Sequence, residues 1–290
     1  AVAGGAPYNF ARAMALQGMA SGYLNPFSSD AFGTMLRDTL LASGAQALGP
    51  ITDKPSSLAF VATDANGQPQ YSFYRSEVAD REIEVSAVHA HTARPGNIGF
   101  HTGGLGLVPP DDQLALAALG RARAGGLVCS VDLNMRPAVA RSLCVEPDQY
   151  RGAALAAARA ADIVKVSDED LRNLGFAQPL DGARALLSGN GKLVVLTLGS
   201  RGAWALGSSV EEFQAALPVT PIDSVGAGDC FFAGFIVALQ RAGALRNIAS
   251  AFPARAQLQQ ALKHASACAA INLMRKGCAP PTWDEAQRYF

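Results

Sequence analysis

The chain's 290 residues include 49% hydrophobic and 17% charged side chains, and its 24 basic and 24 acidic groups cancel to a formal charge of zero. That much apolar material fills the core of one large domain with room for an appendage, and it excludes a disordered chain and a broad nucleic-acid-binding surface. No run of about 18 apolar residues is present to cross a membrane, and the opening AVAGGAP lacks the charged flank and long apolar stretch of a secretory leader. In chain order, residues 9–18 and 30–44 predict amphipathic helices, the second with Phe32, Met35, Leu36, Leu40 and Leu41 on one side. ASGYLNP between them suits a strand entering a turn. Residues 58–63 (LAFVAT), the turn signal Asp64-Ala65-Asn66-Gly67 and residues 71–74 (YSFY) predict a β-hairpin appended to an α/β core. From about Phe100 the apolar runs 126–134, 161–167 and 192–199 alternate with Ala/Leu-rich stretches, the rhythm of a parallel sheet covered by helices on both faces. Two long helical patterns, 229–243 and 257–276, close the chain.

Cys129, Cys144, Cys230, Cys268 and Cys278 are odd in number, widely spaced and without a CxxC pair. They predict buried thiols in a reducing compartment, the cytoplasm, rather than a disulfide framework. His89 and His91 would share a face if their segment, within 76–104, were extended. No carboxylate or cysteine is placed to complete a metal site there, so hydrogen-bonded or solvent-facing histidines are expected.

The densest chemistry lies in residues 221–239, PIDSVGAGDCFFAGFIVAL. Gly226 and Gly228 flank Ala227 just before an apolar run at helical spacing, which leaves amides and the positive end of a helix pointing out of a turn with little side chain. Such a turn binds anions. The carboxylate of Asp229 would repel a phosphate that was merely held there, so its presence points to catalysis: Asp229 takes a proton from an alcohol while the amides stabilise a transferring phosphoryl group. The plainer reading is a helix cap after a glycine turn.

The full pattern DSVGAGDCFFAGF resembles the signature of the ribokinase/PfkB-type sugar kinases at nearly every position, and the resemblance, strongest to bacterial fructokinases, runs over essentially the whole chain. It implies a ribokinase-like α/β fold, a three-layer α/β/α core with a small β-sheet lid: core in 1–54, a mainly β lid in 55–99 and a nucleotide-binding α/β core in 100–290. It implies Asp229 as base, with Gly226, Ala227 and Gly228 as anion hole. Gly4-Gly5-Ala6-Pro7-Tyr8-Asn9 looks like the family's first signature and places Gly5 and Asn9 on the sugar; a helix cap is the other reading of Asn9. Ser72-Phe73-Tyr74-Arg75 is similar to the lid segment of bacterial fructokinases, with Arg75 over the sugar. Asp132-Leu133-Asn134-Met135-Arg136 resembles a DxNxR segment, so Arg136 meets substrate or phosphate, or else pairs with Asp132.

The same resemblance implies ATP and magnesium. Lys165, Thr197, Gly199, Gly202, Gly228 and Asn272 fall in segments that resemble the family's nucleotide side. Lys165-Val166-Ser167-Asp168-Glu169-Asp170 departs from the NxxE motif linked to hydrated magnesium, which leaves Glu169 and Asp170 both open as the carboxylate acting through water. Asp223 lies where many relatives hold potassium. There is no GxxxxGK[ST], so P-loop chemistry is excluded. Family members usually carry a strand with a glycine and a sugar-binding aspartate some 30 residues before the GGAPxN segment; this chain has neither, so the start is missing from the sequence or a truncated paralogue is in view. Fructose is the favoured acceptor, phosphorylated on a primary hydroxyl. The alternatives are a kinase for 2-keto-3-deoxygluconate or another sugar acid, whose carboxylate would pair with Arg75 and Arg136, and a catalytically silent sugar-binding paralogue. Small molecules are the expected partners, without nucleic acid or membrane, and a homodimer through the lid is anticipated.

Overall fold

The computed structural model describes residues 1–63, 69–187, 192–246, 248 and 252–289. Helix α1 (Ala6–Leu16) starts three residues before the predicted point, because Pro7 at its N-terminus presets a helical φ and its absent N–H is no loss there. Helix α2 (Ala31–Ala42) follows, and around it two short parallel ladders form, β1 (Gly22–Tyr23) with β3 (Gln46–Ala47) and β2 (Phe27–Ser28) with β4 (Ile51–Thr52). Asp30 caps α2 by accepting from the Gly33 amide at 2.7 Å, and it also holds the Ser56 amide and hydroxyl at 2.8 Å. The predicted apolar side of α2 is covered only in part: Leu40 is fully buried in a small core with Tyr8, Ala11 and Phe27 and Leu36 packs against it, whereas Phe32 and Leu41 are exposed. This helix packs a narrow strip against α1 and the short ladders.

The hairpin β5 (Leu58–Thr63) and β6 (Pro69–Tyr74) is antiparallel, pairing Leu58 with Tyr74. The predicted turn at residues 64–67 lies outside the described residues. Within the segment 55–99, expected as a mainly β lid, the part beyond the hairpin carries a 3-10 turn (Ala79–Arg81) and helix α3 (Val85–Thr92) rather than further strands. His89 and His91 therefore diverge by two helical steps, and the shared strand face is not formed.

The remaining elements are β7 (Gly99–Gly103), α4 (Asp112–Ala124), β8 (Val128–Asp132), α5 (Pro137–Ser142), α6 (Pro147–Ala160), β9 (Ile163–Ser167), α7 (Asp168–Asn173) and α8 (Pro179–Ala185), then β10 (Leu193–Thr197), β11 (Ala203–Leu206), β12 (Glu211–Gln214), α9 (Ala227–Arg241), α10 (Arg255–Leu273) and α11 (Trp283–Gln287). The main sheet has the order β12-β11-β10-β9-β8-β7, with β7 to β10 parallel and the last two strands antiparallel. Alternation along the strands builds two cores. Ile163, Leu193 and Val195 join α1, α9 and α10 on one face, while Val164, Val166, Val194 and Leu196 join α4, α6 and α8 on the other. Helix α9 is buried from Asp229 to Leu239 because sheet, α1 and α10 all cover it, which explains a helix apolar all round. Among the described residues no helix is long and apolar enough to cross a membrane. Four cysteines are buried as expected; Cys144 is exposed, just past α5.

Candidate active site

The parallel strands all end at one edge of the sheet, where such sheets form their ligand crevice. Asp132 at the end of β8 and Lys165 on β9 are direct cross-strand neighbours. Lys165 Nζ donates to both Asp132 oxygens at 2.9 Å, with both side chains buried. Burial lifts the Asp132 carboxyl above its ordinary range. Burial also pushes the Lys165 ammonium down, but Asp132, Asp170 and Asp229 outweigh it and leave it above its usual value.

This pair lies beneath the first turn of α9: a β-carbon at Gly228 would come within 3.3 Å of Lys165 Nζ. Gly226 caps the helix with φ 75°, and a β-carbon there would run into Cys278 Sγ, so both conformation and space require glycine. The amides of Gly226, Gly228 and Asp229 have no partner among the described residues, whereas that of Ala227 closes a turn onto the Ser224 carbonyl at 3.3 Å. Asp229 is buried, and its Oδ2 accepts from Asn9 Nδ2 at 2.8 Å. Burial, then the charge of Asp132, pushes the Asp229 carboxyl up to about 6, against the Asn9 hydrogen bond, Lys165 and Arg136. Asn9 sits inside α1 rather than capping it, and its Oδ1 has no hydrogen-bond partner among the described residues.

A cavity of about 2570 Å³ opens on these groups, and Gly5, Asn9, Arg75, Arg136, Glu169, Asp223, Gly226 and Asp229 all line it. Arg75 is buried; its Nη2 meets Asp80 at 2.9 Å, while Nε and Nη1 have no hydrogen-bond partner among the described residues. Arg136 donates through Nη1 to its neighbour's carbonyl, Met135 O, at 2.9 Å. The alternative pairing with Asp132 is not formed, since Asp132 takes Lys165 instead. Asp170 and Glu169 are separated by the geometry. Asp170 is buried, accepting from the Met135 amide at 2.6 Å and from the Ser167 amide and hydroxyl at 2.8 and 2.7 Å, whereas Glu169 is exposed on the cavity wall.

Lys165, Thr197, Gly199, Gly202, Gly228 and Asn272 lie outside the cavity wall. Thr197 ends β10, Gly199 opens the next turn, and Gly202 backs onto the Gln214 carbonyl with φ 115°. Asn272 is fully enclosed: its Nδ2 donates to Val225 O and its Oδ1 accepts the Ala279 amide, both at 2.8 Å. Asp223 accepts from the Val225 and Gly277 amides at 3.0 and 2.9 Å, which hold its carboxyl below the usual range.

The sequence pattern described as the pfkB family carbohydrate kinase matches residues 1–285. The chain belongs to the pfkB family of carbohydrate kinases. It is 32% identical over 297 residues to Fructokinase-2 of Oryza sativa subsp. japonica, covering 98% of this chain and 83% of that protein. The crystal structure of a fructokinase with bound ATP from Xylella fastidiosa superposes with a TM-score of 0.87 at 27% identity, covering 99% of this chain and 90% of that one. A Vibrio cholerae O395 fructokinase with fructose, ADP and calcium bound reaches 0.82 at 26% identity, covering 99% and 90%. The fold is thus ribokinase-like, and this family member is an ATP-dependent sugar kinase.

Two features of this kinase site escape sequence reading. Asp80 and Asp111 gather at Arg75 from turns far apart in the chain, with no pattern to announce them. The Asp132–Lys165 pair had a signal, a single charge inside each of two neighbouring apolar strands, VCSVD and IVKVS, but the register is needed to join them.

Proposed function

We propose that this kinase transfers the γ-phosphoryl group of ATP to a primary hydroxyl of fructose. The observation that carries this reading is that Asp229, its carboxyl near 6 and hydrogen-bonded to Asn9, lines the same cavity as Arg75. A neutral polyol needs many hydrogen bonds, and Asn9, Arg75 and Asp229 on the cavity lining are side chains of the donor and acceptor types it requires. Asp229 takes the proton of the attacking hydroxyl while Asn9 Nδ2 fixes its orientation. The amides of Gly226 and Gly228, at the positive end of α9, stabilise the transferring group, and Arg136 adds a charge on the same wall.

The nucleotide lies on the turn carrying Thr197, Gly199 and Gly202. Lys165 and Asn272 act from beneath, one by holding Asp132 and the other by tying Val225 to Ala279. Among the described residues no three His, Cys, Asp or Glu side chains group to hold a metal, and the exposed Glu169 reaches the cavity. That donor set suits magnesium bound chiefly by nucleotide phosphates and water, with Glu169 rather than the fully engaged Asp170 facing it. Bound there, magnesium would neutralise phosphate charge. Asp223 would be the residue to hold potassium, which would brace the turn before the anion hole, and turnover is then expected to be higher in potassium than in sodium. Phe60 and Tyr74, exposed and in edge-to-face contact on the hairpin, fit a homodimer through the lid, and free thiols fit the cytoplasm.

A second reading, a sugar-acid kinase, is favoured by Arg136, which makes no ion pair among the described residues. The test compares kcat/KM for fructose, ribose, adenosine and 2-keto-3-deoxygluconate with magnesium and ATP. Fructose is expected to lead, and a tenfold or greater preference for the sugar acid would overturn the assignment.

A further inference from the structure

The guanidinium assigned to the sugar is already matched with negative charge. Arg75 Nη2 contacts Asp80 at 2.9 Å and Nη1 lies 3.8 Å from Asp111. Arg81 makes a forked contact with the same Asp111, Nη2 to Oδ1 at 2.6 Å and Nε to Oδ2 at 2.9 Å, and its Nη1 donates to the Arg75 carbonyl at 3.0 Å. Two arginines and two aspartates thus form a balanced quartet on the cavity wall. Asp80 is fixed from outside as well, since its Oδ1 accepts from the Ser57 hydroxyl and Asn25 Nδ2 donates to its carbonyl at 2.9 Å.

We infer that Asp80 and Asp111 are specificity-determining residues that restrict this cavity to uncharged polyhydroxy substrates and exclude sugar acids. This rests on the sugar-kinase reading above and deepens it. A carboxylate arriving at Arg75 would compete with Asp80 for one guanidinium and sit against two fixed negative charges in a partly dehydrated site. A hydroxyl meets no such repulsion. It accepts from a guanidinium N–H without displacing a carboxylate, and the aspartates hold the guanidinium in place on the cavity wall.

The experiment measures kcat/KM for fructose and for 2-keto-3-deoxygluconate in the wild type and in Asp80→Asn, Asp80→Glu and Asp111→Asn. Both neutral variants should lower the fructose-to-acid ratio by at least about tenfold, mostly through KM, and Asp80→Glu, which keeps the charge, should hold it near the wild-type value. Asp111→Asn leaves the Asp80–Ser57 contact in place, so the test survives if Asp80→Asn fails to fold. A merely structural role would depress both substrates equally and leave the ratio unchanged, and that result overturns the inference. A wild type that prefers the sugar acid overturns the fructose assignment instead, and it does so whatever the variants show.

Discussion

At the hairpin end of the cavity two arginines meet two aspartates, whereas under the first turn of α9 three aspartates, Asp132, Asp170 and Asp229, share one lysine and the nearby Arg136. The first cluster balances, and its effect is orientation: Arg75 is held in place on the cavity wall. The second carries a surplus of negative charge in a buried setting, and its effect is on ionisation, since burial and Asp132 lift Asp229 to about 6. Neutralised charge positions a ligand, while uncompensated charge tunes a base toward the pH at which it works.

The contrast breaks most directly at Asp229. Asp229→Asn should lower kcat roughly 10²- to 10⁴-fold, the usual worth of a general base, with nucleotide binding retained; steady-state kinetics alongside a nucleotide titration checks both. Next is Lys165→Met, which strands Asp132 without its partner and should cost about 3–5 kcal/mol of stability in denaturant titrations. Adding Asp132→Leu should recover most of that loss. If the single variant is as stable as the wild type, the pair does not hold the edge of the sheet.

The pH dependence sharpens the same side. A carboxyl whose folded pKa is raised binds its proton more tightly when folded, so its contribution is complete below about 4 and is lost as pH rises through about 6. The loss is on the order of 3 kcal/mol, and it should be absent in Asp229→Asn when urea titrations at pH 4 and pH 8 are compared. Activity runs the other way, with kcat/KM falling as pH drops below about 6 because the base becomes protonated. On the balanced side, Arg75→Ala should raise KM for fructose about tenfold, the worth of a charge-assisted hydrogen bond, with little change in KM for ATP. The smallest effect is expected for Ser167→Ala, which removes the capping box at α7 and should cost about 1 kcal/mol.

The parallel strands, the closing helices and the GAGD turn were legible because each is a local pattern: continuous apolar runs, helical periodicity, and glycines at positions that need a positive φ or no side chain. Gly226 shows this well, since its φ of 75° and its closeness to Cys278 both demand glycine. The segment after the hairpin was not legible, because α3 is a short helix of weak amphipathicity whose histidines fit an extended chain equally well. Helix α2 was legible as a helix but not in how far it is covered, because periodicity reports which face is apolar, not how much lies against it: Leu40 is buried while Phe32 and Leu41 are exposed.

By itself the sequence determined that a carboxylate follows an anion-binding turn at the head of a buried helix, because those features depend on residues adjacent in the chain. Which groups set that carboxylate's behaviour was decided only in three dimensions. Asn9 reaches Asp229 across 220 positions, and Lys165 meets Asp132 through strand register. Asp170 turns inward to cap α7 and hold Met135, leaving Glu169 toward the cavity, and Asp80 with Asp111 neutralises Arg75. The physical reason is that charge acts through space and burial, and neither distance nor dielectric is written along the chain.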